Sequence, residues 1–201
     1  MHFTIFKTPV LKTLVRWFSR LMLKITGWKT VGVLPDDHKF VMIAAPHTSN
    51  WDLVFMLYTA FVFKLSIYWM GKATIFKRPF KYICMWLGGI PIDRSKSNNV
   101  VDQSINHFKN NEQFVLAVPP SGTRNKVTKW KTGFYHIAWG AKVPIVLGFL
   151  DYKEKQCGVL GIVYPTGNIE YDMDVIQGYY EGVTGKYPEK TMDKEVFEQA
   201  S

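Results

Sequence analysis

Apolar positions along this chain follow two rhythms. Six short runs, rich in β-branched and aromatic residues, read as strands: residues 40–47 (FVMIAAPH), 65–71 (LSIYWMG), 90–93 (IPID), 114–120 (FVLAVPP), 143–152 (VPIVLGFLDY) and 157–164 (CGVLGIVY). The stretches between them read as helices. These are 50–64, 78–88 with Pro79 in its first turn, 98–110 with Val100, Val101, Ile105 and Phe108 on one face, and 133–142, ended near Gly140. The last two strands follow each other directly and predict antiparallel neighbours. Alternation elsewhere predicts an α/β domain with a mixed, largely parallel sheet flanked by helices.

A different pattern fills residues 10–28, VLKTLVRWFSRLMLKITGW. Lys12, Arg16, Arg20 and Lys24 recur every fourth residue, which on a helix makes one cationic row. Leu11, Leu14, Val15, Phe18, Leu21, Met22 and Ile25 supply an apolar surface, with Trp17 and Trp28 as large aromatics, and no acidic residue precedes Asp36. Such a helix either packs on the domain or lies in the surface of an anionic membrane, and the single sign of charge favours the membrane. The expected organisation is an amphipathic membrane-surface helix at 1–28, an α/β domain at 29–187 and a loosely ordered tail at 188–201. No apolar run reaches the roughly 18 residues of a membrane span. The N-terminus lacks the continuous apolar stretch of a signal peptide. The expected location is therefore peripheral, on the cytoplasmic face of a membrane.

Charge sharpens that expectation. The net charge is +9, yet residues 1–150 hold 20 of the 25 Lys and Arg and only 6 of the 16 Asp and Glu. An anionic partner is expected along the first three quarters of the chain. Nucleic acid is not the expected partner, because the cations are divided between a helix and strand-end loops and no binding motif accompanies them. Cys84 and Cys157 form no metal or redox spacing and read as free thiols of a reducing compartment; no metal site is expected.

Candidate chemistry gathers in polar segments that directly follow strands, where α/β sheets collect ligands. In the first, His47 is followed five residues on by Asp52. A neutral imidazole is the usual base near neutral pH, and a carboxylate at its Nδ1 fixes the tautomer. Asp52 also fits the acid position of a helix capping box begun by Ser49. The second segment carries Asp93 and Arg94. The third, PPSGTR at 119–124, offers Ser121 as a possible nucleophile, Gly122 for close backbone approach, the Thr123 hydroxyl, and Arg124 for a bidentate phosphate contact.

The segment HTSNWD at 47–52 resembles the H-x-x-x-x-D signature of the glycerolipid acyltransferases, the lysophosphatidate acyltransferase family. GGIPIDR at 88–94, PPSGTR at 119–124 and VPIV at 143–146 resemble that family's later blocks, in the same order. The resemblance implies transfer of a fatty acyl group from acyl-CoA or acyl-carrier protein to a glycerol hydroxyl of a lysophospholipid, without a cofactor or an acyl-enzyme. It implies His47 as general base oriented by Asp52. It also implies a phosphate held by Arg94 and Arg124 with Thr123 and Gly122, and Lys72 as a further cation. One position departs: residue 121 is serine where the family usually has glutamate. That departure leaves open a second reading, a weakened or inactive relative that binds acidic lipid without turnover. A serine hydrolase built on Ser121 lacks the G-x-S-x-G elbow.

Overall fold

The computed structural model describes residues 3–92 and 97–192. A seven-stranded sheet forms its centre, in the order β1 (Lys29–Val31), β7 (Gln156–Val163), β6 (Ile145–Asp151), β2 (Lys39–Ala45), β5 (Phe114–Val118), β3 (Ile67–Lys72), β4 (Gly89–Ile92). Only the β6 and β7 pair is antiparallel, with Ile145 opposite Val163; every other pairing is parallel. The mixed, largely parallel sheet expected from the sequence is the one observed. Six α-helices accompany it among the described residues: α1 (Pro9–Ile25), α2 (Trp51–Val62), α3 (Lys81–Trp86), α4 (Ser97–Lys109), α5 (Gly133–Ala141) and α6 (Ile169–Gly178).

Side chains alternate along each strand, so successive residues feed two different cores. On one face Val41, Ile43, Leu116, Ile145 and Leu147 pack with Phe108 of α4, Phe134 and Ile137 of α5 and Ile176 of α6. On the other, Phe40, Ile67, Val115, Val146 and Val159 pack with Ala60 and Phe61 of α2, joined by Leu11 and Val15 of α1 and by Trp86. Right-handed crossovers account for this division. The connections β2 to β3 and β3 to β4 advance in one direction across the sheet, which sets α2 and α3 on one face. Those from β4 to β5 and β5 to β6 return and set α4 and α5 on the other.

Two local differences from the sequence pattern have physical reasons. The third helix begins at Lys81 rather than at Arg78, because residues 78–80 form a turn whose closing bond runs from the Lys81 N–H to the Lys77 carbonyl, 3.0 Å. The helix α6 adds an element not foreseen, and it is fixed by a buried acid rather than by periodicity. Asp172, 1% exposed, accepts from the Tyr135 hydroxyl at 2.8 Å and from the Thr166 N–H at 2.7 Å.

Helix α1 has three sectors where the sequence suggested two. Leu11, Val15, Met22 and Leu23 turn toward the domain. Val10, Leu14, Trp17, Leu21 and Ile25 face away from it, Trp17 being 64% exposed and Ile25 69%, while Phe18 at the sector's edge stands edge-on to Tyr58 of α2 at 6.0 Å. The cations at 12, 16, 20 and 24 run along the remaining sector, and the Arg20 guanidinium lies over the Trp17 ring at 5.5 Å. At about 1.5 Å per residue, a helix of this length is roughly 25 Å long; no described helix is long and apolar enough to cross a membrane.

Candidate active site

The parallel strands β2, β5, β3 and β4 end side by side, so the polar segments that follow β2 and β5 leave one rim of the sheet. His47 follows β2 and Asp52 lies in the first turn of α2. Their side chains meet: His47 Nδ1 is 3.2 Å from Asp52 Oδ2. The same oxygen accepts the backbone N–H groups of Thr48 and Ser49, each at 2.8 Å, while the Ser49 hydroxyl accepts from the Trp51 N–H at 3.2 Å. The capping role and the histidine contact are thus properties of one carboxylate. Asp52 is 5% exposed, and its interactions offset the cost of removing a charge from water. His47 is partly open, with its side chain 26% exposed. With Nδ1 directed at the carboxylate, Nε2 is left as the proton-accepting atom.

Asp52 has a further partner that the sequence did not reveal. The Tyr152 hydroxyl, from the turn after β6, donates to Asp52 Oδ1 at 2.9 Å. Burial, and then the charge of Asp52, push the phenol far above its ordinary range, so it stays a donor. A contact between residues 100 apart leaves no local motif. The only hint lay in a tyrosine at the end of a buried strand, beside the rim where chemistry was expected.

The loop after β5 is shaped by its own bonds. The Ser121 hydroxyl donates to the Thr123 carbonyl at 2.7 Å, the Gly122 N–H to the Pro119 carbonyl at 3.1 Å, and the Lys131 N–H to the Pro120 carbonyl at 2.9 Å. Gly122 adopts φ of 64°, in the left-handed region that glycine tolerates best. Thr123 and Arg124 are exposed, whereas Ser121 is 8% exposed. Asp93 and Arg94 lie outside the described residues. Lys72 ends β3, its backbone paired with Ile92 of β4.

His47, Asp52, Gly122, Thr123 and Arg124 all border one cavity of about 650 Å³. From this polar mouth the cavity runs between the sheet and α2, past Met42, Met56, Phe63, Trp69 and Leu150. Its size falls in the range of small-molecule sites, and its interior is apolar with charge at one end. Ser121 borders a separate space of about 30 Å³, with His47, Asn125, Lys190 and Thr191 around it. That space is far smaller than the large cavity. Cys84, half-buried, borders the large cavity, and Cys157 is buried; both are free thiols. Among the described residues no group of acids, histidines and cysteines has metal-site geometry.

The Acyltransferase family matches residues 29–146 of the chain. No curated protein matches it. The crystal structure of the 1-acyl-sn-glycerophosphate (LPA) acyltransferase, PlsC, from Thermotoga maritima aligns with a TM-score of 0.58 at 18% sequence identity. The alignment covers 86% of this chain and 78% of that one, a likeness of fold.

Because the Ser121 hydroxyl is spent on its own loop, it is expected to behave as a turn donor. A fluorophosphonate, which labels serines activated by a histidine, should leave Ser121 unmodified by mass spectrometry. Ser121→Ala should lose about 1 kcal/mol of stability in denaturant unfolding. Stoichiometric labelling of Ser121 would overturn this assignment.

Proposed function

The chain belongs to the acyltransferase family, and we propose that it transfers a fatty acyl group from acyl-CoA or acyl-carrier protein to a glycerol hydroxyl of a lysophospholipid. One observation carries the reading: the paired His47 and Asp52 border a large, mostly apolar cavity that Arg124 also borders. Charge at the mouth suits a phosphorylated headgroup, and the interior suits a hydrocarbon chain. The likeness of fold to an LPA acyltransferase supports the same choice of acceptor.

The chemistry is a single displacement. Nε2 of His47 takes the acceptor hydroxyl proton as that oxygen attacks the thioester carbonyl carbon. The new C–O bond forms and the C–S bond breaks. The imidazolium, steadied by Asp52, returns its proton to the departing thiolate. No acyl-enzyme is formed. Arg124 takes the acceptor phosphate with Thr123 and the close approach that Gly122 permits, and Arg94 and Lys72 complete the cationic set.

The acceptor is a membrane lipid, so the protein is proposed to work on an anionic membrane surface, at its cytoplasmic face. Helix α1 supports this with its outward apolar sector beside a row of cations. The second support comes from the same layer of the fold. Phe80, Tyr82 and Ile83 are exposed around α3, beside Lys77, Arg78 and Lys81, and residues 53–92 contain no acid. Serine at position 121 favours a second reading, a weakened relative that holds acidic lipid without turnover; the assay that follows separates the two.

Radiolabelled acyl-CoA and acyl-carrier protein, offered with a panel of lysophospholipids, should yield labelled diacyl product. Arg124→Ala should raise the acceptor KM by roughly 10-fold or more and the donor KM by less than about 2-fold. An equal rise in both would contradict the phosphate role, and lipid binding without product would favour the second reading. Replacing Trp17 and Leu21 together by serine should weaken co-sedimentation with anionic vesicles by at least about 10-fold, since each loses the burial of a large apolar side chain. Unchanged binding would remove α1 from the membrane.

A further inference from the structure

The residues beyond the family-matched stretch bear on the site through Tyr152. Its ring stands edge-on to Trp28, with centroids 4.9 Å apart, and edge-on to Phe55 of α2 at 5.8 Å. Its backbone N–H donates to the Thr184 carbonyl at 2.9 Å. Two aromatic contacts thus hold the ring, Lys186 Nζ lies over it at 6.0 Å, and the backbone bond anchors its residue. The segment that receives this backbone bond also leans on the turn holding His47. The Tyr187 N–H donates to the Thr48 hydroxyl at 3.3 Å, and Lys186 Nζ lies over the Trp51 ring at 5.1 Å.

We propose that Tyr152 is a positioning residue for the His47 and Asp52 pair. The inference rests on His47 acting as the base of the proposed reaction. The carboxylate of Asp52 divides its two oxygens. Oδ2 faces the imidazole and the two backbone N–H groups, and Oδ1 faces the phenol. A carboxylate can turn about its terminal torsion, which is broad. The phenol pins Oδ1 and so prevents that turn, keeping Oδ2 aimed at Nδ1. Nδ1 therefore keeps its proton, and Nε2 remains the basic nitrogen. Tyr152 touches no substrate in this scheme; it acts through Asp52.

The test is Tyr152→Phe, which keeps the ring on Trp28 and removes one hydroxyl. kcat should fall about 10- to 100-fold with both KM values within about 2-fold, the range expected for a hydrogen bond to a charged group. In an Asp52→Asn background the same substitution should cost less than about 3-fold more, because the residue through which it acts is already lost. Tyr152→Leu, which also lacks the hydroxyl, should give at least the loss in kcat of the phenylalanine variant. Independently of turnover, the 15N resonances of His47 should report an Nδ1-protonated ring in the wild type and a shifted tautomer mixture in Tyr152→Phe. A variant with wild-type kcat, an equal loss in the Asp52→Asn background, or an unmoved His47 tautomer would each overturn the proposal. A wild type with no His47-dependent transfer would instead count against the proposed reaction, and the tautomer measurement would still decide the contact.

Discussion

A buried carboxylate organises this molecule's chemistry. Asp52 lies in the first turn of α2, almost wholly out of water, and is stable there only because four groups converge on it. Two are backbone N–H groups of the turn leaving β2, so the charge fixes the direction in which the chain leaves the sheet. The third is the imidazole that this turn presents, and the fourth is a phenol from the turn after β6, the strand beside β2. Removing the acid would loosen the turn and disorient the imidazole at once. Local architecture and reactivity here are a single electrostatic arrangement.

The sheet supplies the rest of the geometry. Parallel pairing brings the carboxyl ends of β2, β5, β3 and β4 to one edge, so segments distant in sequence share a rim. Alternation along the strands sends one set of side chains to the α4, α5 and α6 core. The other set faces α1 and α2, and there the large cavity opens under the rim. A charged mouth over an apolar interior matches a substrate with a polar head and a hydrocarbon chain. The same layer carries the exposed apolar residues of α1 and α3, so the cavity and the proposed lipid surface belong to one side of the fold.

What the sequence disclosed depended on how local each interaction is. His47 and Asp52 are five residues apart across a strand end and a helix start, and the spacing alone suggested that they meet. The buried strands were legible as apolar runs. β1 was not, because three residues reading Lys29, Thr30, Val31 carry no apolar rhythm; they pair with β7, and of the three Val31 packs on the core. Helix α6 was missed because its anchor is Asp172, a polar residue whose burial follows from Tyr135 and Thr166. The apolar residues of α1 were visible, but only packing against α2 separates those that serve the core from those left outward. Ser121 illustrates the reverse: the sequence left its role open, and in three dimensions it is a buried turn donor.

The central claim is that the imidazole of His47 removes the acceptor's proton. The most direct measurement is the initial rate of acyl transfer to a lysophospholipid in membranes, compared between the wild type and His47→Ala at matched folding and matched vesicle binding. Loss of a general base predicts a fall of at least about 10²- to 10⁴-fold in kcat, with binding of protein to vesicles unchanged. Transfer persisting at close to the wild-type rate in the alanine variant would contradict the account.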